Sequence, residues 1–265
     1  MNGYKFAVRL YRRYRDEAAE VGCAETEIAD TAQPPSQRPK PYNRSLSKLI
    51  ISLAENPVTL AEFGIDGFAA LQALIDRSYY KSLAQAVASL TLFSHPNTVR
   101  QTFGKSVFKT IRGPRTPGVY ADENGKRVML DDNKSASDAF KWANGITGRL
   151  RDVQFNHIYT VSQDVDSYTS LANICVTPAF IAKLTDNTSP ATSTLLKYRV
   201  FDLYEWKPAG IEAPKMPEGY DQLNWVPTLP AVPDVKAAFE ARMARRSKDR
   251  TVLSVKQLGW LFGDG

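Results

Sequence analysis

The 265-residue chain is 43% hydrophobic and 23% charged, and its formal net charge is +6 at pH 7. This composition is typical of globular proteins, and the length suffices for one large domain or two small ones. No window approaches the ~18 consecutive apolar residues that a membrane helix requires, and the first residues lack the pattern of a secretory signal. We therefore expect a cytoplasmic protein without a membrane partner.

The N-terminal part of the chain has a predominantly helical pattern. An amphipathic helix is predicted over residues 3–20, followed by a Pro-rich loop or linker over residues 24–44. Ser45 is a candidate cap for the next helix, and helical periodicity then continues over residues 57–93. We expect this front part of the protein to be mainly helical.

The middle of the chain changes to strand-like patterns. Residues 118–130, GVYADENGKRVML, contain two short alternating runs around Asn124–Gly125, a dipeptide that favours a tight hairpin turn. Ser135 or Ser137 is then a candidate cap for a short helix that ends at Gly145. These signals predict a β-hairpin followed by a helix.

Two further strands and two helices are predicted after this hairpin. The strands cover residues 151–159 and 171–176, and Thr177–Pro178 is a good start for a short helix over residues 178–186. A longer helix is predicted over residues 190–206. Cys175, in the apolar run NICV of the second strand, is predicted to be a small buried side chain.

The C-terminal part begins with irregular chain. Residues 207–234 contain six prolines, and Asp234 is a candidate cap for a last, basic helix. The apolar segment at residues 253–262 is expected to dock onto the domain.

Three basic clusters, at residues 9–15, 105–115 and 241–250, indicate a polyanionic partner. Arginine and lysine neutralise phosphates, and the tyrosines of the first cluster offer rings for stacking. A solvated helix face explains any one cluster as well, whereas three clusters together make nucleic acid an equally good interpretation. The candidate nucleic-acid-binding residues are Arg9, Arg12, Arg13, Arg15, Lys105, Lys109, Arg112, Arg115, Lys183, Arg242, Arg245 and Arg246.

Few other residues are candidates for chemistry. His95, in the segment FSHPN, is expected to have a surface or capping role. The acidic run at residues 131–133 follows a strand, which favours turn chemistry over a metal site. Two isolated cysteines do not form a thiolate-rich zinc site, and no phosphate-binding loop, dinucleotide fingerprint or serine elbow is present.

The remaining histidine, His157, stands at the end of a predicted strand in the sequence NHI, and Asn173 stands in the next strand, LANICV, which a helix follows. This strand–loop–strand–helix pattern over residues 150–187 resembles the HNH branch of the His-Me finger endonucleases. That family usually has Asp-His or His-His at the first position and an NLVLL-type second strand. The resemblance implies an α+β fold, mainly helical, with an embedded ββα-metal unit beside the short β-hairpin.

The resemblance also implies roles for individual residues. His157 would be the general base that takes the proton of a water, with its other ring nitrogen held by a backbone carbonyl. Asn173 would brace the loop, and Asn156 would replace the family's first metal ligand. The helix ligand of the family corresponds to Ala182–Lys183, neither of which ligates magnesium. Asp186, one turn further along, is the candidate for the missing ligand of Mg²⁺ or Mn²⁺.

These features predict a metal-dependent endonuclease, a hydrolase of restriction or defence type that acts on DNA. The pattern does not distinguish DNA from RNA, and cutting at a palindromic site would imply a homodimer. We expect a helical region (1–112), a nuclease-like region (113–210) and a C-terminal segment with a basic helix (211–265), or one domain that contains all three.

The alternative is a non-catalytic nucleic-acid-binding or assembly protein with a degenerate ββα unit. The two hypotheses differ in what they require of His157. The nuclease requires it to be accessible beside a metal-capable pocket that contains Asn156 and Asp186. The alternative predicts that it is packed or hydrogen-bonded to the backbone.

Overall fold

The structure is a computed structural model that describes residues 67–113, 120–123, 125–148, 150–182 and 189–263. By its internal contacts the chain divides into two compact units, residues 1–73 and 74–265. Nearly all described residues belong to the second unit. The predicted helix at residues 3–20, the linker at 24–44 and the Ser45 cap lie outside the described residues.

The described part of the chain has a mixed α+β architecture with two small sheets. Its helices are α1 (Gly67–Asp76), α2 (Leu83–Leu90), α3 (Pro96–Arg100), α4 (Lys134–Ala143), α5 (Ala179–Ala182), α6 (Pro190–Tyr204), α7 (Val235–Arg245) and α8 (Arg250–Leu258). Its strands are β1 (Thr110–Arg112), β2 (Tyr120–Glu123), β3 (Lys126–Asp131), β4 (Val153–His157) and β5 (Ile174–Pro178). None of the described helices is long and apolar enough to cross a bilayer.

The helical periodicity predicted as far as residue 93 is interrupted between α1 and α2. Ser82 has an extended backbone, and its side chain accepts a hydrogen bond from the Gln85 N–H, so α2 starts as a new capped helix. His95 caps α3, because its Nδ1 accepts from the Asn97 N–H at 3.0 Å. The capping role predicted for His95 is therefore confirmed.

The first sheet has the strand order β1-β3-β2. β2 and β3 are antiparallel and pair as far as Glu123↔Lys126, so they form a hairpin with a short connection. Gly125 has a φ of +77°, which glycine adopts at little cost. The predicted hairpin is confirmed, and β1 adds a parallel strand on the free side of β3.

Helix α4 is capped differently from the prediction. It begins at Lys134, and the carboxylate of Asp131 accepts hydrogen bonds from the N–H and hydroxyl groups of Ser135. Neither Ser135 nor Ser137 is the capping residue, because the buried carboxylate of Asp131, at the end of β3, accepts the hydrogen bond of a backbone N–H in the first turn. The turn chemistry expected of residues 131–133 is confirmed.

The second sheet consists of β4 and β5, which pair antiparallel from Val153↔Pro178 to His157↔Ile174. The strand predicted over 171–176 begins three residues later, because residues 171–173 form a 3₁₀ turn whose first N–H groups Ser170 caps. The following helix begins at Ala179 rather than Pro178, since Pro178 is still paired in the sheet. Helix α5 packs against both strands.

The C-terminal elements complete the core. Asp234 caps α7 by accepting from the Ala237 N–H at 2.8 Å, as predicted. Phe239 of α7 packs edge-on against Phe108, and Trp260 forms a β-bridge with Phe108. The apolar C-terminal segment thus docks onto the core, as predicted.

Candidate active site

His157 ends β4, and its ring is held by the loop that follows. Its Nε2 lies 2.7 Å from the carbonyl oxygen of Tyr168. Because a carbonyl only accepts, Nε2 carries the hydrogen, and the lone pair of the neutral imidazole is on Nδ1. The ring also stacks on that of Tyr168, with centroids 4.8 Å apart and planes 17° apart. His157 therefore has a fixed tautomer and a fixed orientation.

The surroundings of His157 keep it neutral. Burial lowers the pKa of His157, the hydrogen bond to the Tyr168 carbonyl acts in the opposite direction, and the positive charge of Arg112 lowers the pKa further. The net shift is downward from the ordinary value of 6.5. At pH 7 the ring therefore has a lone pair that can accept a proton.

Asn173 braces both ends of the loop between the two strands. Its Oδ1 accepts from the Tyr159 N–H at 2.8 Å, and its Nδ2 lies 3.3 Å from the carbonyl oxygens of both Tyr159 and Ser167. The side chain is fully buried, so these bonds are shielded from water. The chain entering the loop after His157 is thereby tied to the chain that returns before β5.

The same loop is attached to the segment around β1. Thr169 exchanges two hydrogen bonds with the backbone of Phe108, each 3.0 Å long. The Arg112 N–H donates to the Ser162 carbonyl, and the Ser106 N–H donates to the Asp166 carbonyl. These hydrogen bonds hold the loop that connects β4 and β5 against the segment around β1.

Asn156 does not share this site. Successive side chains of a strand point to opposite faces, so Asn156 and His157 face opposite sides of the β4–β5 pair. The buried Asn156 amide donates to the Thr177 hydroxyl at 2.7 Å on its own face. Asp186 lies outside the described residues.

The described residues alone do not fit a Mg²⁺ or Mn²⁺ site. Among them, no three His, Cys, Asp or Glu side chains come together in a group that could hold an ion. The one predicted ligand that is described, Asn156, is a neutral amide already paired with a hydroxyl. A site completed by Asp186 would need residues outside the described ranges.

A second set of side chains lies behind Tyr168. Its hydroxyl donates to the Asn133 Oδ1 at 3.3 Å, and burial together with the charge of Asp131 raises the Tyr168 pKa to about 12. The guanidinium of Arg250, on α8, binds the carboxylates of both Asp131 and Asp132. Three distant parts of the chain thus converge behind the His157–Tyr168 stack.

The predicted nucleic-acid-binding residues fall in different places. Lys105, Lys109 and Arg112 are exposed on the segment that holds the loop. Arg245 and Arg246 are exposed at the end of α7, whereas Arg242 is half-buried and donates to the Ile146 carbonyl at 3.0 Å. The remaining candidates lie outside the described residues; they are Arg9, Arg12, Arg13, Arg15, Arg115 and Lys183.

A cavity of about 420 Å³ opens beside the residues that follow His157. Its lining includes Tyr159 and Thr160 of the loop, and Lys197 and Lys215 from later in the chain. The Lys197 ammonium lies 5.5 Å above the Tyr159 ring, a distance at which a cation–π contact holds it in place. Two positive charges therefore lie next to the loop, together with the carboxylate of Glu212, which lines the same cavity.

Sequence reasoning missed Tyr168 and Asn133, the two residues that contact His157 or its partner. Tyr168 lies in the polar run DSYTS, where a single large aromatic residue is a signal for burial. Asn133 belongs to the run at residues 131–133, for which the sequence predicts turn chemistry and no contact with His157. The contacts of Tyr168 with His157 and with Asn133 join different segments of the chain. No periodic pattern in the sequence therefore relates either residue to His157.

Comparison with models of known families, with curated proteins and with solved structures gave no match to this chain.

Proposed function

We propose that the protein is an HNH-type endonuclease that hydrolyses phosphodiester bonds in DNA and requires Mg²⁺ or Mn²⁺. One observation carries the proposal: a histidine at the end of the first strand is bonded through one ring nitrogen to a loop carbonyl, and a buried asparagine before the second strand braces that same loop. The order β4, loop, β5, α5 further supports it.

The chemistry of this proposal uses the free nitrogen of His157. Nδ1 accepts a proton from a water whose oxygen forms a bond to phosphorus, and the bond from phosphorus to the leaving sugar oxygen breaks. The leaving oxygen takes up a proton from solvent water. The bond between Nε2 and Tyr168 holds the imidazole in the tautomer that this step requires. Asn173 acts indirectly, because it keeps the loop that carries Tyr168 in place.

The distribution of charge supports a polyanionic substrate. Lys105, Lys109 and Arg112 are exposed on the segment that fixes the loop, and Lys197 and Lys215 line the cavity on the loop. Phosphate groups are the common partners of such charges.

The proposal predicts metal-dependent cleavage by the purified full-length protein. Supercoiled plasmid, genomic DNA, DNA with modified bases and single-stranded RNA should be incubated with Mg²⁺ or Mn²⁺. We expect nicking or linearisation of at least one DNA substrate that stops on addition of EDTA and resumes when excess metal is restored. Cleavage that persists in EDTA would contradict the metal requirement, and cleavage of RNA alone would contradict DNA as the substrate.

A second function is favoured by two observations: His157 is hydrogen-bonded to the backbone carbonyl of Tyr168, as the non-catalytic alternative predicts, and Asn156 faces away from His157 and is paired with Thr177. A non-catalytic nucleic-acid-binding protein would retain the half-buried, hydrogen-bonded His157 without a metal site. Binding that weakens steeply with salt, without metal-dependent cleavage of any substrate, would support this function instead.

A further inference from the structure

We propose that Asn133 is a positioning residue that orients His157 through Tyr168. The catalytic consequence rests on the proposed function, whereas the geometric consequence does not. Asn133 lies in the turn between β3 and α4, and it reaches His157 only through the Tyr168 side chain.

The backbone of Asn133 is the first observation. Its φ of 94° and ψ of −4° lie in the left-handed region, which costs energy for any residue with a side chain, although asparagine tolerates it better than most. Glycine would adopt this conformation more easily. A strained residue at this position suggests that its side chain has a use.

The use is not capping of the helix. Asn133 occupies the N-cap position of α4, where an asparagine side chain normally accepts from the first turn, but it makes no such bond. Asp131 accepts from Ser135 instead. The Asn133 Oδ1 accepts a hydrogen bond from the Tyr168 hydroxyl.

Tyr168 transmits this contact. It is fully buried, its ring forms one wall of the His157 site, and its carbonyl accepts from the His157 Nε2. A bond at the hydroxyl end fixes the position of the outer end of the ring, and the imidazole of His157 stacks on that ring. Asn133 is itself held in place because Arg250 anchors its neighbours, Asp131 and Asp132.

The substitution Asn133→Gly separates positioning from folding, because it relieves the backbone strain while it removes the acceptor. Because the relief of backbone strain offsets the cost of leaving the buried Tyr168 hydroxyl without its acceptor, we expect the stability of the variant to be close to that of wild type. We expect its kcat to fall roughly tenfold with KM unchanged, as after the loss of a supporting hydrogen bond at other sites. Asn133→Asp keeps the acceptor and should retain most of the activity. Tyr168→Phe removes the same bond, so the double variant should be no worse than either single one.

Nuclear magnetic resonance tests the geometry without any assay of cleavage. The chain has only two histidines, so the ring signals of His157 are easily assigned, and those of His95 are an internal control. Stacking on Tyr168 should shift the His157 signals upfield. Both Asn133→Gly and Tyr168→Phe should move them towards unstacked values and leave those of His95 unchanged.

The outcomes separate this inference from the proposed function. Moved His157 signals in a protein that cleaves no substrate would support the positioning contact and contradict the nuclease. Unmoved signals in Asn133→Gly would overturn the inference, as would a kcat equal to that of wild type in an active enzyme. Failure of Asn133→Gly to fold would also overturn it, because Asn133 would then be a structural residue.

Discussion

Substitution of His157 by glutamine is expected to lower the single-turnover rate constant of DNA cleavage by about 10²–10⁴-fold. Glutamine can still donate to the Tyr168 carbonyl, but it has no ring nitrogen that accepts a proton at neutral pH. DNA affinity, measured by filter binding in EDTA, should change little, because the phosphate-binding charges are elsewhere. The measurement is a time course with enzyme in excess over plasmid.

The chain offers a matched control for this variant. His95→Asn removes the other imidazole but keeps a residue that caps α3 well. It should cleave at the wild-type rate. Equal rates for wild type, His157→Gln and His95→Asn would identify His157 as structural and would contradict the catalytic proposal.

Substitution of Asn173 by alanine should destabilise the protein by about 3 kcal/mol, because it leaves the buried N–H and carbonyl groups of Tyr159 without their partner. It also removes one of the two hydrogen bonds to the Ser167 carbonyl. The cleavage rate should fall about 10²-fold even where the protein is folded, since the loop that carries Tyr168 loses its brace. Urea unfolding measures the first effect, and single-turnover cleavage well below the unfolding transition measures the second.

Asn144→Ala is the comparison for this change. Asn144 is a half-buried asparagine whose amide donates to Ser94 and to the Phe140 carbonyl, but it has no contact with the loop. The substitution should lower the free energy of unfolding by about 1 kcal/mol and leave the cleavage rate unchanged. Equal effects of the two substitutions on the cleavage rate would contradict a specific role for Asn173.

Local signals in the sequence predicted much of the fold. Gly125 suits the hairpin because it adopts a positive φ beside the paired strands, and Asp234 starts α7 because its carboxylate accepts from the first turn. Both depend on interactions within three or four residues. The strand pair β4–β5 was also predicted, although the second strand begins later than expected.

Interactions across the chain were harder to predict. The start of α4 depends on Asp131 rather than on the nearer serines, and the burial of Asp131 depends on Arg250, which is more than a hundred residues away. Tyr168 and Asn133 meet for the same reason. Such contacts exist only once the sheets and α8 have assembled, and no local pattern encodes them.

The opposite faces of Asn156 and His157 follow from the alternation of side chains along a strand. Adjacent residues of a regular strand do not converge on one pocket. A metal site that used both would need the chain to bend at the end of β4. This point is where the resemblance to HNH nucleases and the described geometry differ most.

Chemical rescue tests the central claim most directly. The variant His157→Gly leaves a cavity beside the Tyr168 ring that has the shape of the missing imidazole. We predict that it cleaves DNA negligibly in Mg²⁺ or Mn²⁺ and regains activity as free imidazole is added, while His95→Asn is unaffected by imidazole. Wild-type cleavage by His157→Gly without imidazole, or a residual rate that imidazole does not raise in a folded variant, would contradict the role of His157 as the general base.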